Sequence, residues 1–416
     1  LLDAMLARPA GLDWRRTFSI GAVIGTLGSR MTSPDTAGRF YGKTGTLTGV
    51  IATSGVLFHR HDGHRYLISA LMNDVSDSTF ARSLEDQIVA VVGDDHRGFG
   101  ARPERVSLRT VLAPGDGTLA VSWEPVAGAT AYLVWLSDDG LVWDRSRARL
   151  VTGTSHLAGG LPSDRVQYVR ITATNTAGEG DPSDVLAGRT AHEPASILLV
   201  DGDDRWVGQP ENPMGHGHDF LVGHASALGA RAFESVSHHA IDDGTIDPAD
   251  YDAVLWQLGE QSNQDGTFSP AEQSAIEAAV AGGTHLLVSG AELAWDLDWL
   301  GDAADQAFLH EVLHVAYVED DAETSTTRPV AGGMFAGLPE LEFYTPGTQD
   351  VAFPDQLAPR AGGVAELAYV GGIGGTAAVS FDGLGRTVVL GFPFEALDGS
   401  DRRDAVMARV LDFFGI

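Results

Sequence analysis

Cysteine is absent from the 416 residues of this chain. The protein therefore folds without disulfide bonds and has no thiol that acts as a nucleophile or as a metal ligand. This composition is consistent with an exported bacterial protein that folds without disulfides, although a cytosolic protein can lack cysteine as well. Chemistry that requires a thiolate is excluded.

Positive charge is also scarce, because 27 Lys and Arg residues face 57 Asp and Glu residues and leave a formal charge of -30. A charge of this sign repels nucleic acid and anionic lipid. The sequence contains no apolar run of roughly 18 residues, the length that a membrane-spanning helix needs. We therefore expect a protein of roughly two to four domains, with no nucleic-acid partner and no membrane span. Its oligomeric state is left open.

Lysine occurs once in the whole chain, at Lys43. It lies in a strand-like run over residues 42–50, where a cation, the hydroxyl of Thr44 and the bare backbone of Gly45 follow one another. One interpretation is a solvated lysine at the end of a strand. The alternative is that Lys43 has a chemical role. The sequence that follows favours this alternative.

Residues 50–58 and 65–72 are β-rich runs separated by a turn signal, which predicts an antiparallel meander after the Lys43 strand. Residues 76–92 then predict a helix that Gly93 ends as a C-cap. One face of this helix is apolar, the pattern of a face that packs on a core, and it carries Phe80, Leu84, Ile88, Val91 and Val92.

Residues 18–30 (FSIGAVIGTLGSR) and 42–55 (GKTGTLTGVIATSG) resemble the end of the catalytic domain of the D-alanyl-D-alanine carboxypeptidase/endopeptidase family of low-molecular-mass penicillin-binding proteins. That family has a Gly-Thr-Leu-x-x-Arg run before an extended Lys-Thr-Gly-Thr-Leu motif. Here Ile24 stands where the family usually has an acidic residue. The resemblance implies that residues 1–97 are the C-terminal part of an α+β penicilloyl-serine transferase fold.

The resemblance also implies a catalytic role for each residue from Lys43 to Thr46. Lys43 would supply positive potential and a proton path near the nucleophile, and the Thr44 hydroxyl would hold the substrate carboxylate. Gly45 would keep the strand edge open for an extended peptide, and the Thr46 backbone N–H would form half of the oxyanion hole. The implied partner is a peptidoglycan stem peptide or a β-lactam, and the implied chemistry is serine-type acyl transfer without a cofactor.

The nucleophile of that family lies in a Ser-x-x-Lys motif, whose lysine activates the serine. Because Lys43 is the only lysine, no Ser-x-x-Lys exists in this chain, and residues 1–42 contain no Ser-x-Asn. We therefore expect the C-terminal piece of a longer precursor, inactive alone, from the periplasm or the extracellular side of a bacterial envelope. A non-catalytic cell-wall or glycan-binding protein is the alternative.

Residues 104–190 change to short alternating strands with regularly spaced turns, beyond a Gly- and Pro-containing linker at 98–103. This segment resembles a fibronectin type III module. The resemblance implies an all-β sandwich in which Trp123 and Tyr132 pack in the core, Leu161 closes one end and Tyr168 starts the penultimate strand. A spacer is the preferred function, and a binding module is the alternative.

Residues 195–416 alternate strands with helices, which predicts an α/β doubly wound flavodoxin-like domain with a parallel sheet. Strands are expected at 197–200, 253–258 and 285–288, helices at 220–228, 270–281 and 302–313, and an extended run at 315–318. Ser269 is the expected N-cap of the second helix, and Gly282 is its stop. A hairpin over 376–392 and a helix over 401–414 complete the prediction.

This third segment resembles the class I glutamine amidotransferase-like superfamily in its expected strand order and in the Gly-Phe-Pro-Phe-Glu run at 391–395. Active members carry a cysteine at a sharp turn after a central strand. The comparable turn here begins at Ser289, and the chain has no thiol, so amidotransferase chemistry is excluded. Ser289 also lacks the Gly-x-Ser-x-Gly context of a serine nucleophile.

Residues 310–314 (HEVLH) match His-Glu-x-x-His, in which two histidines bind zinc and the glutamate is the general base. The predicted helix ends at His314 and no Gly-x-x-His follows. His310 and His314 are therefore interpreted as an exposed stripe rather than as metal ligands. A zinc metalloprotease that uses them with Glu311 is the least favoured alternative.

Three carboxylates, Asp201, Asp203 and Asp204, follow the first strand of this segment, at the edge where open α/β sheets bind ligands. Several histidines also occur in this segment, namely His216, His218, His224, His238 and His239. A metal or sugar site there is one hypothesis. Helix caps and a polar rim are the other.

Overall fold

The computed structural model describes residues 18–59, 65–94, 102–163, 165–190, 194–204, 218–259, 266–343, 351 and 353–416. The chain is multidomain and consists mostly of β-sheet. Its first segment contains β1 (Ser19–Ile20), β2 (Phe40–Leu47), β3 (Val50–Phe58), β4 (Arg65–Met72) and α1 (Ser78–Gly93). The strands form an antiparallel sheet in the order β1-β2-β3-β4, which confirms the predicted meander.

Helix α1 begins at the N-cap Asp77, whose carboxylate accepts hydrogen bonds from the backbone N–H groups of Thr79 and Phe80. The apolar face that the periodicity indicates is mostly not the face that α1 buries. The residues that α1 buries are Ala81, Glu85, Val89 and Gly93, whereas Phe80 and Val91 are 66% and 70% exposed. Buried Glu85 explains the difference, because it binds Arg30 and Thr53 and turns a polar and small-residue face inward.

The second segment is a β-sandwich. Its strands are β5 (Leu108–Gly115), β6 (Thr118–Trp123), β7 (Ala131–Ser137), β8 (Arg149–Val151), β9 (Ser155–Gly159), β10 (Gln167–Asn175), β11 (Gly178–Glu179) and β12 (Leu186–Gly188). Trp123 and Tyr132 are buried and meet edge to face with ring centroids 5.5 Å apart, as predicted. Tyr168 is also buried, and Leu161 packs on the same core.

The third segment contains more strands than the sequence predicted. Its first part consists of β13 (Ile197–Asp201), α2 (Leu221–Ala227), β14 (Phe233–Ser237), α3 (His239–Asp242), β15 (Ala253–Gln257), α4 (Pro270–Gly282) and β16 (His285–Ser289). Its second part consists of α5 (Ala303–Ala307), β17 (Val315–Glu319), β18 (Thr326–Pro329), β19 (Leu341–Glu342), β20 (Gln356–Pro359), β21 (Val364–Tyr369), β22 (Thr376–Phe381), β23 (Thr387–Leu390) and α6 (Ser400–Phe414).

The core of this segment is a run of parallel strands in the order β14-β13-β15-β16-β23. β13 and β15 are buried along their whole length, as expected for strands covered on both faces. The sequence analysis missed β14. The sequence analysis also assigned no partner to the extended run at 315–318. This run is β17, which pairs antiparallel with β20.

The second and third segments share one sheet. β5 of the sandwich pairs antiparallel with β14, with Val111 opposite Ser235 and Thr110 opposite Val236. Side chains reinforce the junction, because Glu234 accepts hydrogen bonds from the Ala113 backbone N–H and from the Tyr251 hydroxyl, at 2.6 and 2.7 Å. Among the described residues, no helix combines the length and apolar character needed to cross a bilayer.

Helix α4 is capped as the sequence predicted. Ser269 accepts a hydrogen bond from the Glu272 backbone N–H, and the Glu272 carboxylate accepts one from the Ser269 N–H, which completes a capping box. Gly283, with a φ of 112°, is the C-cap one residue beyond the expected stop. The left-handed conformation at this position favours glycine.

We predict that Ser269→Ala lowers the free energy of unfolding by about 1 kcal/mol, because the first turn of α4 loses its side-chain acceptor. Urea denaturation followed by circular dichroism measures the change. Ser274→Ala is the matched control, because Ser274 lies inside α4, is exposed, and bonds only within its own helix, to the Pro270 carbonyl. Equal effects of the two substitutions would contradict the capping role.

Candidate functional site

The Lys43 strand exposes the residues that the sequence selected. In β2, Phe40 to Gly42 are buried, whereas Lys43, Gly45 and Thr46 are exposed and Thr44 is half-buried. The strand therefore passes from the core into solvent at the point where the motif starts. The Lys43 ammonium donates a 2.7 Å hydrogen bond to the Thr44 carbonyl.

One edge of this strand is free in the described part of the chain. β3 pairs along the other edge, from Phe40 opposite Leu57 to Leu47 opposite Val50. β1 covers the free side only at Tyr41 and Gly42. Apart from the Thr44 carbonyl, which accepts a hydrogen bond from the Lys43 ammonium, the backbone groups on that side from Lys43 onward are thus available to an added strand.

A chain of hydroxyls lies beside the motif. Thr44 donates from Oγ1 to Thr26 Oγ1 at 2.8 Å, and Thr26 Oγ1 lies 3.0 Å from Ser19 Oγ. The Thr26 backbone N–H also donates to Ser19 Oγ, which fixes the short turn around Gly25 against β1. The sequence analysis assigned no role to Ser19 or Thr26, although the Gly-Thr-Leu run that contains Thr26 was the available signal.

Arg30 ties this turn to the helix. Its guanidinium donates to Glu85 at 3.0 Å and to Asp86 at 2.6 Å, and Thr53 of β3 donates to the same Glu85 carboxylate at 2.7 Å. Glu85 is 1% exposed, so these hydrogen bonds replace the water that its carboxylate lacks. The network fixes the positions of the Gly-Thr-Leu-x-x-Arg run, of β3 and of α1 relative to one another, behind the Lys43 strand.

A second polar cluster lies in the third segment, at the carboxyl ends of β13 and β14. These strands are parallel neighbours with Asp201 opposite Ser237, so Asp204 and the pair His238 and His239 leave the sheet at the same edge. His238 Nε2 lies 2.9 Å from Asp204 Oδ2, and His239 Nε2 lies 3.3 Å from Asp204 Oδ1. Of the residues proposed here from the sequence, His216 lies outside the described residues.

The charges of this cluster are coupled. Burial by itself lowers the pKa of His238, but its hydrogen bonds with Asp204 and Glu272 outweigh burial and raise the pKa to about 10. Burial of Asp204 acts to raise its pKa, and the hydrogen bonds from both histidines hold it below the usual range. Burial and the nearby Asp184 raise the pKa of Asp201 well above its ordinary value.

The geometry of residues 310–314 does not favour the zinc-protease alternative. His310 Nε2 lies 2.9 Å from Asp298 Oδ2, so its partner is a carboxylate of a preceding turn. His314 is beyond the helix end with a φ of 59°, is buried, and stacks on Phe381 with ring centroids 3.5 Å apart. The prediction that His314 belongs to an exposed stripe was therefore wrong. Neither histidine joins a third candidate ligand in the described part of the chain.

Ser289 lies beside two further polar side chains. Its Oγ is 3.4 Å from His224 Nε2, and His224 Nδ1 is 3.9 Å from Glu395 Oε2. Ser289 and His224 are 0% and 1% exposed, so a substrate has no access to this serine. Burial lowers the pKa of His224 to about 3, which keeps the ring neutral but makes it a weak base.

Comparison with known proteins gives one family match. The model of the D-Ala-D-Ala carboxypeptidase 3 (S13) family matches residues 1–94. No curated protein matches this chain significantly.

Solved structures similar to part of the chain include fibronectin type III domains. The sixth such domain of human fibronectin type III domain containing protein 3 is 19% identical, with a TM-score of 0.20, and the match covers 24% of this chain and 95% of that one. A Fn3-like protein from Clostridium thermocellum is 20% identical, with a TM-score of 0.18, and the match covers 22% and 93%.

His218, next to the second cluster, gives a pH-dependent prediction. Burial acts to lower its pKa, but the carboxylate of Asp184, whose Oδ1 lies 2.9 Å from His218 Nδ1, raises the pKa to about 9. This ion pair stabilises the folded chain fully below about pH 6.5, the ordinary histidine value, and its contribution is lost as the pH rises through about 9. We predict that Asp184→Asn lowers the pKa of His218, measured by NMR titration of the ring nitrogens.

The control for this titration is Asp219→Asn, which removes the carboxylate adjacent to His218 in the sequence and leaves Asp184 in place. We expect the pKa of His218 to change much less in this variant. Equal shifts in the two variants would show that general charge, rather than the Asp184 pair, sets the pKa.

Proposed function

We propose that residues 1–97 are the C-terminal part of a serine-type D-Ala-D-Ala carboxypeptidase domain that acts on peptidoglycan stem peptides. The observation that carries this proposal is the Lys43 strand, whose motif is exposed and whose outer edge is unpaired from Lys43 onward in the described chain. The match of the S13 family model to residues 1–94 supports the same assignment.

The geometry of β2 suits an extended peptide substrate that ends in a carboxylate. The substrate would add to the open edge of β2 as a further strand, and Gly45 has no side chain to obstruct it. Lys43 would attract the carboxylate, and the Thr44 hydroxyl would hold it, after exchanging its bond to Thr26 for one to the substrate. The Thr46 N–H would face the carbonyl oxygen that becomes negative.

The chain does not contain the attacking group of this reaction. Lys43 is its only lysine, so a serine activated by a lysine three residues later is absent from these 416 residues. Acylation would require residues that the 416 do not supply. The exposed apolar side chains of α1, such as Phe80 and Val91, support this proposal, because an apolar helix face commonly packs against another part of a domain.

The other two segments would serve as accessory modules. The sandwich at 104–190 would act as a spacer of the fibronectin type III type, with Trp123 and Tyr132 in its core. The parallel strand order at 195–416 supports a doubly wound, flavodoxin-like and amidotransferase-like domain that lacks the thiol of the active enzymes. We place the protein in the periplasm or outside the cell, where peptidoglycan is found.

Labelling with a fluorescent penicillin tests the proposal on two proteins, the 416-residue chain and the product of the complete reading frame that encodes it. We predict that the 416-residue chain stays unlabelled and that the complete product forms a covalent adduct. Lys43→Ala in the complete product should lower the acylation rate at least about 100-fold, the scale of a lost acid–base group. Thr44→Ala should lower it less, because binding weakens while the nucleophile stays activated.

The matched control is Ser54→Ala, which removes an exposed hydroxyl bonded to Ser69 on the strand opposite Lys43. Its labelling should equal that of the unsubstituted protein. Labelling of the 416-residue chain itself would contradict the missing nucleophile. A complete product that binds purified peptidoglycan but forms no penicillin adduct would favour the non-catalytic wall-binding alternative.

A further inference from the structure

The cluster at the carboxyl ends of β13 and β14 has the composition of a metal site. Asp204, His238 and His239 each offer one ligand atom, and these atoms all lie within 4.8 Å of one another. The main chain fixes the arrangement, because the His238 N–H donates to the Asp201 carbonyl at 2.8 Å. Two parallel strands thus bring together residues that are more than thirty positions apart in the sequence.

Glu272 provides the outer contact that is common behind a metal-bound histidine. Its Oε1 lies 2.5 Å from His238 Nδ1, and its Oε2 accepts the Ser269 backbone N–H at 2.7 Å. Glu272 is 2% exposed and both of its oxygens have hydrogen-bond partners, so its position is fixed and it orients the His238 ring. A carboxylate that accepts from one ring nitrogen leaves the other to face the metal.

A polar cavity of ≈ 250 Å³ opens beside this cluster. Carboxylates dominate its lining, which includes Arg105, Asp184, Asp201, Asp203, Asp204 and His239. Asp201 and Asp203 are 5% and 3% exposed, so their side chains face this interior space rather than bulk water. Gly259 has a φ of 50°, and a Cβ there would overlap the Asp203 carboxylate, so the absent side chain leaves room for Asp203.

We propose that Asp204, His238 and His239 bind one divalent transition-metal ion, with Zn²⁺ as the ion that this ligand set fits best. Two imidazoles and one carboxylate are a ligand set of zinc sites that keep a position open. The remaining position would face the cavity and hold water or an oxygen-donor ligand. The surrounding carboxylates would attract the cation, and no thiol is needed.

The ligand spacing agrees with this assignment. Bonds of about 2.0–2.2 Å place neighbouring ligand atoms of a tetrahedral zinc site about 3.3–3.5 Å apart. His239 Nε2 lies 3.3 Å from Asp204 Oδ1 and His238 Nε2 lies 2.9 Å from Asp204 Oδ2, so each imidazole is near this spacing from one oxygen of the same carboxylate. On binding, the metal would draw these ligand atoms, which lie within 4.8 Å of one another, to tetrahedral spacing.

Isothermal titration of the metal-stripped 416-residue chain with Zn²⁺ tests the proposal, and metal analysis after dialysis checks the stoichiometry. We expect one equivalent of zinc. Asp204→Asn and His239→Ala should each weaken binding by more than about 100-fold, because each removes a ligand. Co²⁺ in place of Zn²⁺ should give the visible absorption of a site with nitrogen and oxygen ligands, and both substitutions should abolish it.

Two controls separate a metal site from general attraction of cations to an acidic protein. His310→Ala removes another histidine that contacts a carboxylate, Asp298, and should leave zinc affinity unchanged. Glu272→Gln should weaken zinc binding about 10- to 100-fold, the usual cost of an outer partner. Ser269→Ala breaks the same capping box but keeps the contact between Glu272 and His238, so its zinc affinity should stay unchanged.

Circular dichroism of each variant establishes that it is folded before titration. Absence of a stoichiometric zinc site in the unsubstituted chain would overturn the proposal. So would zinc binding that Asp204→Asn and His239→Ala leave intact, or that His310→Ala weakens as strongly as they do. The result is independent of penicillin labelling, so it stands or fails separately from the carboxypeptidase assignment.

Discussion

The parallel pairing of β13 with β14 is the constraint on which most of this structure depends. Each residue from Ile197 to Asp201 lies opposite one from Phe233 to Ser237, and the five residues of β13 are buried. Because side chains alternate along a strand, a shift of one residue would turn the apolar side chains of β13 to the opposite faces of the sheet. The same register brings Asp204 beside His238 and allows β14 to accept β5 of the sandwich. Core packing, the polar cluster and the junction between two segments therefore share one cause.

Much of this arrangement could be predicted from local sequence, and the failures have a common physical origin. Periodicity and capping signals located β13, β15, β16 and α4, because the three strands contain continuous apolar runs and α4 has a strong N-cap at Ser269. The strand β14 (FESVS), which has the same length as those three strands, was missed, since two of its five residues are serines and its apolar signal is weak. Without β14, the carboxylates after β13 and the two adjacent histidines could only be assigned separately. Their proximity is a property of strand pairing, which no local pattern specifies.

The first segment shows the reverse case, in which the strand that carries the motif was predictable and the packing was not. A single lysine followed by a hydroxyl and a glycine identified the exposed end of β2 correctly as a strand. The apolar stripe of α1 was assigned to the core because hydrophobic residues usually face inward. The buried Glu85, held by Arg30 and Thr53, instead determines which face of α1 meets the sheet. Turning Glu85 outward would leave its two buried partners without their carboxylate, which is costly. The hydrogen bonds of Glu85, rather than the hydrophobic pattern, therefore determine which face of α1 meets the sheet.

The pairing of β5 with β14 has a mechanical consequence. The pairing of these two strands and the hydrogen bond from the Ala113 N–H to Glu234 restrict rotation of the sandwich relative to the parallel sheet. The sandwich cannot then behave as a loose tether that lets its neighbour sample a wide volume. Force applied to one of the two bodies would be transmitted to the other through shear of a continuous ladder. The distance between the far ends of the two bodies would therefore stay nearly constant under load.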